Sequence, residues 1–158
     1  VPEVSAEELS DLTLTRCWIQ ELALKDSIEH GDAAWEEALV LAFHRLSRAA
    51  PIGPNGRNMP GEQWEPLHRA FHVALIARCR SQRLLDYTDV LFNQADRYRY
   101  LGAEIDPNRD VLGEHRELME AAIARDVGLV VERSNRHILK TTDAVLAHLR
   151  RQSGQVSG

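Results

Sequence analysis

Apolar residues recur along this chain at three- and four-residue intervals, and no stretch shows the strict alternation that a half-buried strand requires. The first such pattern opens at SAEELSDL. Ser5 is a good N-cap there and Glu8, three residues on, completes a capping box, so a helix is predicted to about His30, where Gly31 can terminate it. A second helix is predicted from Ala33 to Ala49. PIGPNGRNMPG, with three prolines and three glycines in eleven residues, is a loop. The third pattern spans about Glu62 to Arg80, with Pro66 near its start and regular helix delayed until there. Ser81 caps a fourth helix that ends near Gly102. Asp106 or Asn108 starts a fifth, and Asp126 caps a sixth that runs to about Arg151, before the frayed tail SGQVSG. The pattern predicts an all-α, antiparallel bundle of six helices, seven if one is broken.

Composition narrows the class. A chain of 158 residues suits one domain with a true core, because about two-thirds of the unfolded surface is buried at this size. No linker or repeat divides residues 1–158. Acidic side chains outnumber basic ones by 24 to 19, which argues against this chain gripping a phosphate backbone unaided. No apolar run approaches the ~20 residues needed to cross a bilayer, and nothing at the start resembles a signal peptide. Cys17 and Cys79 each fall inside a helical pattern and read as buried reduced thiols, which favours a reducing cytoplasm.

The chemistry lies in the histidines. In LHRAFH, His68 and His72 stand four apart among Trp64, Leu67, Phe71 and Leu75, so two imidazoles stack on an otherwise apolar helix face. His115 shares a stripe with Leu112, Met119 and Ile123, and His137 one with Val130, Ser134 and Thr141. His30 and His148 fall near helix ends among charges, and the face of His44 is ambiguous. Three helices thus turn four imidazoles inward, and each buried ring needs partners for both nitrogens. One metal ion would satisfy all four. Neutral imidazoles without a thiolate suit Zn²⁺, Ni²⁺, Cu²⁺ or Fe²⁺ better than Mg²⁺ or Ca²⁺.

Two arginines extend the constellation. Arg99 lies on a stripe with Leu85, Thr88, Phe92 and Ala95, and Arg16 on one with Leu12, Ile19 and Ala23. Such a guanidinium either snorkels to water or meets an anion inside. In the second case a metal with open positions beside the arginines makes a pocket for a small mono- or dicarboxylate.

These segments resemble a known family, the C-terminal FCD domain of GntR-superfamily transcriptional regulators in the FadR-like branch. VPEVSAEELSDLTLTR is similar to the family's entry into its first helix, with the arginine at Arg16. LHRAFHVAL resembles the segment written D-x-x-F-H, with Phe71 and His72 as its last two residues; EHRELMEAAIARD resembles the segment carrying the next ligand, His115. SNRHILKT supplies His137, 22 residues further on, and RYRY around Arg99 is closest to CsiR-like members. The likeness covers nearly the whole chain. It departs from the family at one ligand, with His68 where an aspartate is usual, and an all-imidazole set is more neutral and softer. Acyl-CoA-binding members lack the metal set, so the histidines argue against that ligand.

The resemblance implies an effector-sensing and dimerising domain without catalytic residues. Binding of a small organic acid would govern DNA contacts made by an N-terminal winged helix-turn-helix that precedes residue 1, and paired half-sites would call for a homodimer. A metalloenzyme acting on a small carboxylate is the alternative. H-E-x-x-H is absent, no general base lies between His68 and His72, and of the two Glu-x-x-His motifs of a di-iron bundle only Glu65–His68 fits, across Pro66. A metal-free bundle with core histidines is the third possibility.

Overall fold

The computed structural model describes residues 5–49, 63–99 and 109–155, with the side chains of residues 99 and 155 excepted. All six helices expected from periodicity are present, and the described residues include no strand. α1 spans Ala6–His30, and the Ser5 hydroxyl accepts from Glu8 N at 2.9 Å as its cap. α2 (Ala33–Arg48) is capped by Asp32, which accepts from Trp35 N at 2.9 Å. α3 is Trp64–Leu75 and α4 Gln82–Arg99, the latter with Ser81 Oγ accepting from Leu84 N. α5 is Val111–Ile123 and α6 Val127–Gln155.

Four expectations shift. Regular helix starts at Trp64, two residues before Pro66; the proline occupies the first turn, where its missing N–H leaves no helical bond unmade. α5 is capped by Asp110, which accepts from Gly113 N at 2.8 Å, rather than by Asp106 or Asn108, which lie outside the described residues, as do the loop 51–61 and Gly102. α6 runs four residues beyond Arg151, into the segment expected to fray. The largest change is in α3, which stops at Leu75 instead of Arg80. There the chain finds partners from α1: buried Ser27 donates to Leu75 O (3.0 Å) and accepts from Arg78 N (3.1 Å), while Asp26 accepts from Arg80 N (2.6 Å). Trp35 Nε1 takes Ala74 O at 2.9 Å. Backbone groups satisfied from outside need no further helical turn.

Pairs across the elements give the packing direction. Thr13 meets Thr142 and Arg125 meets Ile28 O, so α1 and α6 run antiparallel; α2 and α3 do the same through Trp35–Ala74 and Phe43–Phe71. Leu24, Leu39, Leu46, Phe71, Leu75, Leu118 and Val130 are fully buried and make one continuous core. α4 packs chiefly on α1, leaving a gap between α3 and α4.

The turn between α1 and α2 is tighter than a helix stop needs. Gly31 is extended (φ −66°, ψ 136°), not left-handed, so its lack of a side chain serves space rather than conformation. A β-carbon there would overlap the Trp35 ring and crowd the Arg125 guanidinium. Arg125 is itself left-handed (φ 60°), a cost of about 1–2 kcal/mol for a residue with a β-carbon. Its side chain offsets this by donating to Ile28 O and Glu36 (2.7 Å each) and lying 4.9 Å from the Trp35 ring centroid. Gly31→Ala should therefore destabilise the chain by about 1–3 kcal/mol, the usual range for overpacking. Denaturant unfolding checks it; an unchanged midpoint would show that the Trp35 ring yields freely.

Candidate metal centre

α3 sets two imidazoles on its buried face, with Trp64 stacked on His68 at 5.8 Å. His72 Nε2 lies 3.1 Å from His68 Nε2 and 3.2 Å from His115 Nε2. His115 comes from α5 and is wholly buried; its Nδ1 donates to Val111 O, four residues back, at 2.6 Å. A carbonyl can only accept, so that contact places the proton on Nδ1 and leaves the His115 Nε2 lone pair facing the cluster. His137 comes from α6, with Nδ1 2.7 Å from Glu114 Oε2. Each of the four histidines offers a ligand atom, and these lie within 4.8 Å of one another.

Burial fixes the charge state. It pulls the His115 pKa down to about 3, helped by the neighbouring His137. His137 is lowered too, burial outweighing the hydrogen bond to Glu114. Burial alone would raise the Glu114 carboxyl, but hydrogen bonds from His137 and Arg109 win and hold it well below the usual carboxylate range. At neutral pH His115 and His137 are therefore neutral imidazoles beside an ionised Glu114.

The donor set fits a metal ion. At a typical metal–nitrogen distance of ~2.0–2.1 Å, two ligands of a tetrahedral ion lie about 3.3 Å apart, close to the 3.1 and 3.2 Å found here. A proton on His72 Nε2 could serve one of those two contacts; a shared cation serves both. Imidazole nitrogen suits Zn²⁺, Ni²⁺, Cu²⁺ or Fe²⁺ and disfavours the oxygen-seeking Mg²⁺ and Ca²⁺.

A cavity of about 310 Å³ opens from this cluster into the gap between α3 and α4. His68, His72 and His137 line its inner end, Leu85, Phe92 and Ile138 its apolar walls, and Arg16 reaches it from α1 with its guanidinium 5.9 Å from the Phe92 centroid. At the rim, Arg69 of α3 bonds Asp89 and Asn93 of α4. A cavity this size takes a small organic molecule.

Of the residues singled out in the sequence, the structure brings together His68, His72, His115 and His137, and sets Arg16 beside them. Arg99 is the last residue of α4, and its side chain lies outside the described residues. His44 is exposed, and His30 bonds Asp26 O within its own helix. The sequence reading missed Glu114 and Arg109. Glu114 directly precedes His115 of the cluster, the one signal available; nothing in the sequence marks Arg109.

Fold and site together define an all-α domain that presents a histidine cluster at the head of a ligand-sized cavity. Residues 11–140 match the model of the FCD domain, and the chain belongs to that family, as the motif resemblance implies. It is 35% identical over 146 residues to "Uncharacterized HTH-type transcriptional regulator BphR" of Paraburkholderia xenovorans, covering 92% of this chain and 60% of that protein. To "HTH-type transcriptional repressor GlaR" of Escherichia coli it is 28% identical over 144 residues, 88% of this chain and 64% of that one. This chain thus spans under two-thirds of the length of both. Two solved structures share the fold: a GntR family transcriptional regulator from Pseudomonas syringae pv. tomato (TM-score 0.74, 22% identity, 98% of this chain and 62% of that one) and E. coli McbR/YncC (TM-score 0.78, 18%, 94% and 69%). No helix among the described residues is long and apolar enough to cross a membrane.

Proposed function

We propose that this chain is the effector-sensing domain of a DNA-binding transcriptional regulator, recognising a small mono- or dicarboxylate through a metal ion and arginines. One observation carries the reading: four imidazoles from three helices converge at the closed end of a cavity that Arg16 also enters. His68, His72, His115 and His137 would hold the ion, with Zn²⁺ first among the candidates and Ni²⁺ or Fe²⁺ behind it. A bound divalent metal would supply an electrophilic centre for the carboxylate oxygens. Arg16 and Arg99 would fix the acid's orientation by the forked geometry that guanidinium offers a carboxylate. The names of BphR and GlaR support the regulatory reading over an enzyme. DNA contact would belong to a winged helix-turn-helix outside this chain, in the cytoplasm.

A homodimer completes the proposal. Leu14, Trp18 and Leu22, at successive four-residue steps on α1, are 48%, 59% and 55% exposed, an apolar stripe suited to an isologous contact. The effector acts on DNA only if it prefers one dimer arrangement, and that preference sets the size of the switch.

Thermal shift across small mono- and dicarboxylates, with and without chelator, identifies the acid. Calorimetry then tests the arginines. A charge-assisted bond is worth about 1.5–3 kcal/mol, so Arg16→Ala or Arg99→Ala should weaken binding by about one to two powers of ten with metal content unchanged. Lysine should rescue only part. Equal affinity in wild type and either variant removes that arginine from the pocket.

A further inference from the structure

His137 sits inside a network that no metal requires. Glu114 Oε2 receives its Nδ1–H, and the Arg109 guanidinium forks onto the same carboxylate, with Nε 2.9 Å from Oε1 and Nη2 2.7 Å from Oε2. Arg109 also donates to His137 O and to Thr141 Oγ1, at 3.1 Å each, and the Thr141 hydroxyl closes on His137 O. Side chain, carbonyl and the following turn of one residue are all held by a single pair. That pair is largely shielded from solvent, with side-chain exposures of 12% for Arg109 and 14% for Glu114, whereas Arg78–Asp32 (47% and 49%) and Arg125–Glu36 (36% and 35%) are wet. A buried pair gains little stability over an apolar replacement, so stability alone does not account for it.

A further distance shows what the pair controls. Arg109 Nη2 lies 3.3 Å from His137 Nδ1 as well. Two groups therefore compete for that nitrogen with opposite demands. The carboxylate accepts and requires a proton on Nδ1; the guanidinium donates and requires Nδ1 bare. In a neutral imidazole the proton excluded from one nitrogen resides on the other.

We propose that Glu114 is the positioning residue that selects the metal-competent tautomer of His137, and that it does so against Arg109. With Glu114 in place, Nδ1 is protonated and the Nε2 lone pair faces the cluster. Without it, Arg109 donates to Nδ1, the proton moves to Nε2, and an N–H points where an ion would sit. Arg109 thus has two faces: it clamps Glu114 when the carboxylate is present and opposes metal capture when it is not.

This inference rests on the metal reading above, and the experiment separates the two. Long-range ¹H–¹⁵N spectra of metal-free protein labelled on histidine report each tautomer without any metal. Wild type should show His137 protonated on Nδ1, and Glu114→Ala should show it protonated on Nε2. Zinc affinity, measured by competition with a chromophoric chelator, should fall about 10–100-fold in Glu114→Ala, the usual cost of losing such a partner. The double variant Glu114→Ala/Arg109→Ala should recover part of that loss, because no donor remains to hold Nδ1 bare. A merely structural ion pair predicts the reverse, with the double variant no better than the single. Wild-type protein with His137 protonated on Nε2 overturns the assignment with no variant needed. If wild type binds no zinc while His137 carries its proton on Nδ1, the metal reading fails and the Glu114 tautomer lock stands alone.

Discussion

Purified wild-type protein should carry about one divalent metal ion per chain; His115→Ala protein should emerge without it, and His137→Ala should behave alike. His115 is the most constrained of the four rings: wholly buried, tethered to Val111 O through Nδ1, and 3.2 Å from His72 through Nε2. No mobile side chain can take its place at that depth. Losing an outer partner of a ligand weakens such sites about 10–100-fold; losing the ligand should exceed that range and abolish retention through dialysis. His68→Ala should show whether the fourth imidazole is a ligand. His44→Ala, exposed on α2, should leave metal content unchanged. Elemental analysis decides it. Full metal content in both His115→Ala and His137→Ala would mean that the four imidazoles are core residues and nothing more.

Chelation should cost the wild-type protein a large part of its stability. A site preferring the folded chain contributes RT ln(1 + [M]/Kd), about 4 kcal/mol when free metal exceeds Kd a thousandfold. At roughly 2–4 °C per kcal/mol for a chain of this size, the melting temperature should drop by about 8–16 °C. Acid should lower the stability of the metal-free protein further. The unfolded chain protonates its histidines below about pH 6.5, whereas folded His115 resists until about 3. Since the folded-state value is depressed, its contribution is full above pH 6.5 and is lost as the pH falls from there toward 3. His137, also lowered, adds in the same direction. A metal-free protein equally stable at pH 7.5 and pH 4.5 would show that these rings are not buried neutral.

The sequence shows the bundle and its histidines for one reason: both are periodic. Caps at Ser5, Ser81 and Asp126 and apolar spacing place the helices, and four polar residues on apolar stripes stand out against that background. What it hides is set by distant chain. α3 ends at Leu75 because Asp26 and Ser27, about fifty residues earlier, satisfy the backbone beyond it; within the segment itself, periodicity continues to Arg80. Gly31 follows the last residue of α1 as its type suggests, but in extended backbone, and what its missing side chain provides is room for Trp35. Glu114 and Arg109 look like solvated surface charge, and only the approach of α6 to α5 buries them.

The rim of the cavity bears on how quickly the site exchanges with solution. α3 and α4 face each other across the gap, and the contacts between them are slight: Phe92 against His68 and His72, and Arg69 reaching across to Asp89 and Asn93. Asp89 is 53% exposed and Arg69 34%, so that clasp is a wet ion pair worth at most about 1 kcal/mol. Parting that clasp therefore costs little, and a molecule can enter or leave on the timescale of side-chain and loop motion rather than of unfolding. Residence time in such a site is governed by its innermost contacts, and the doorway adds little to it.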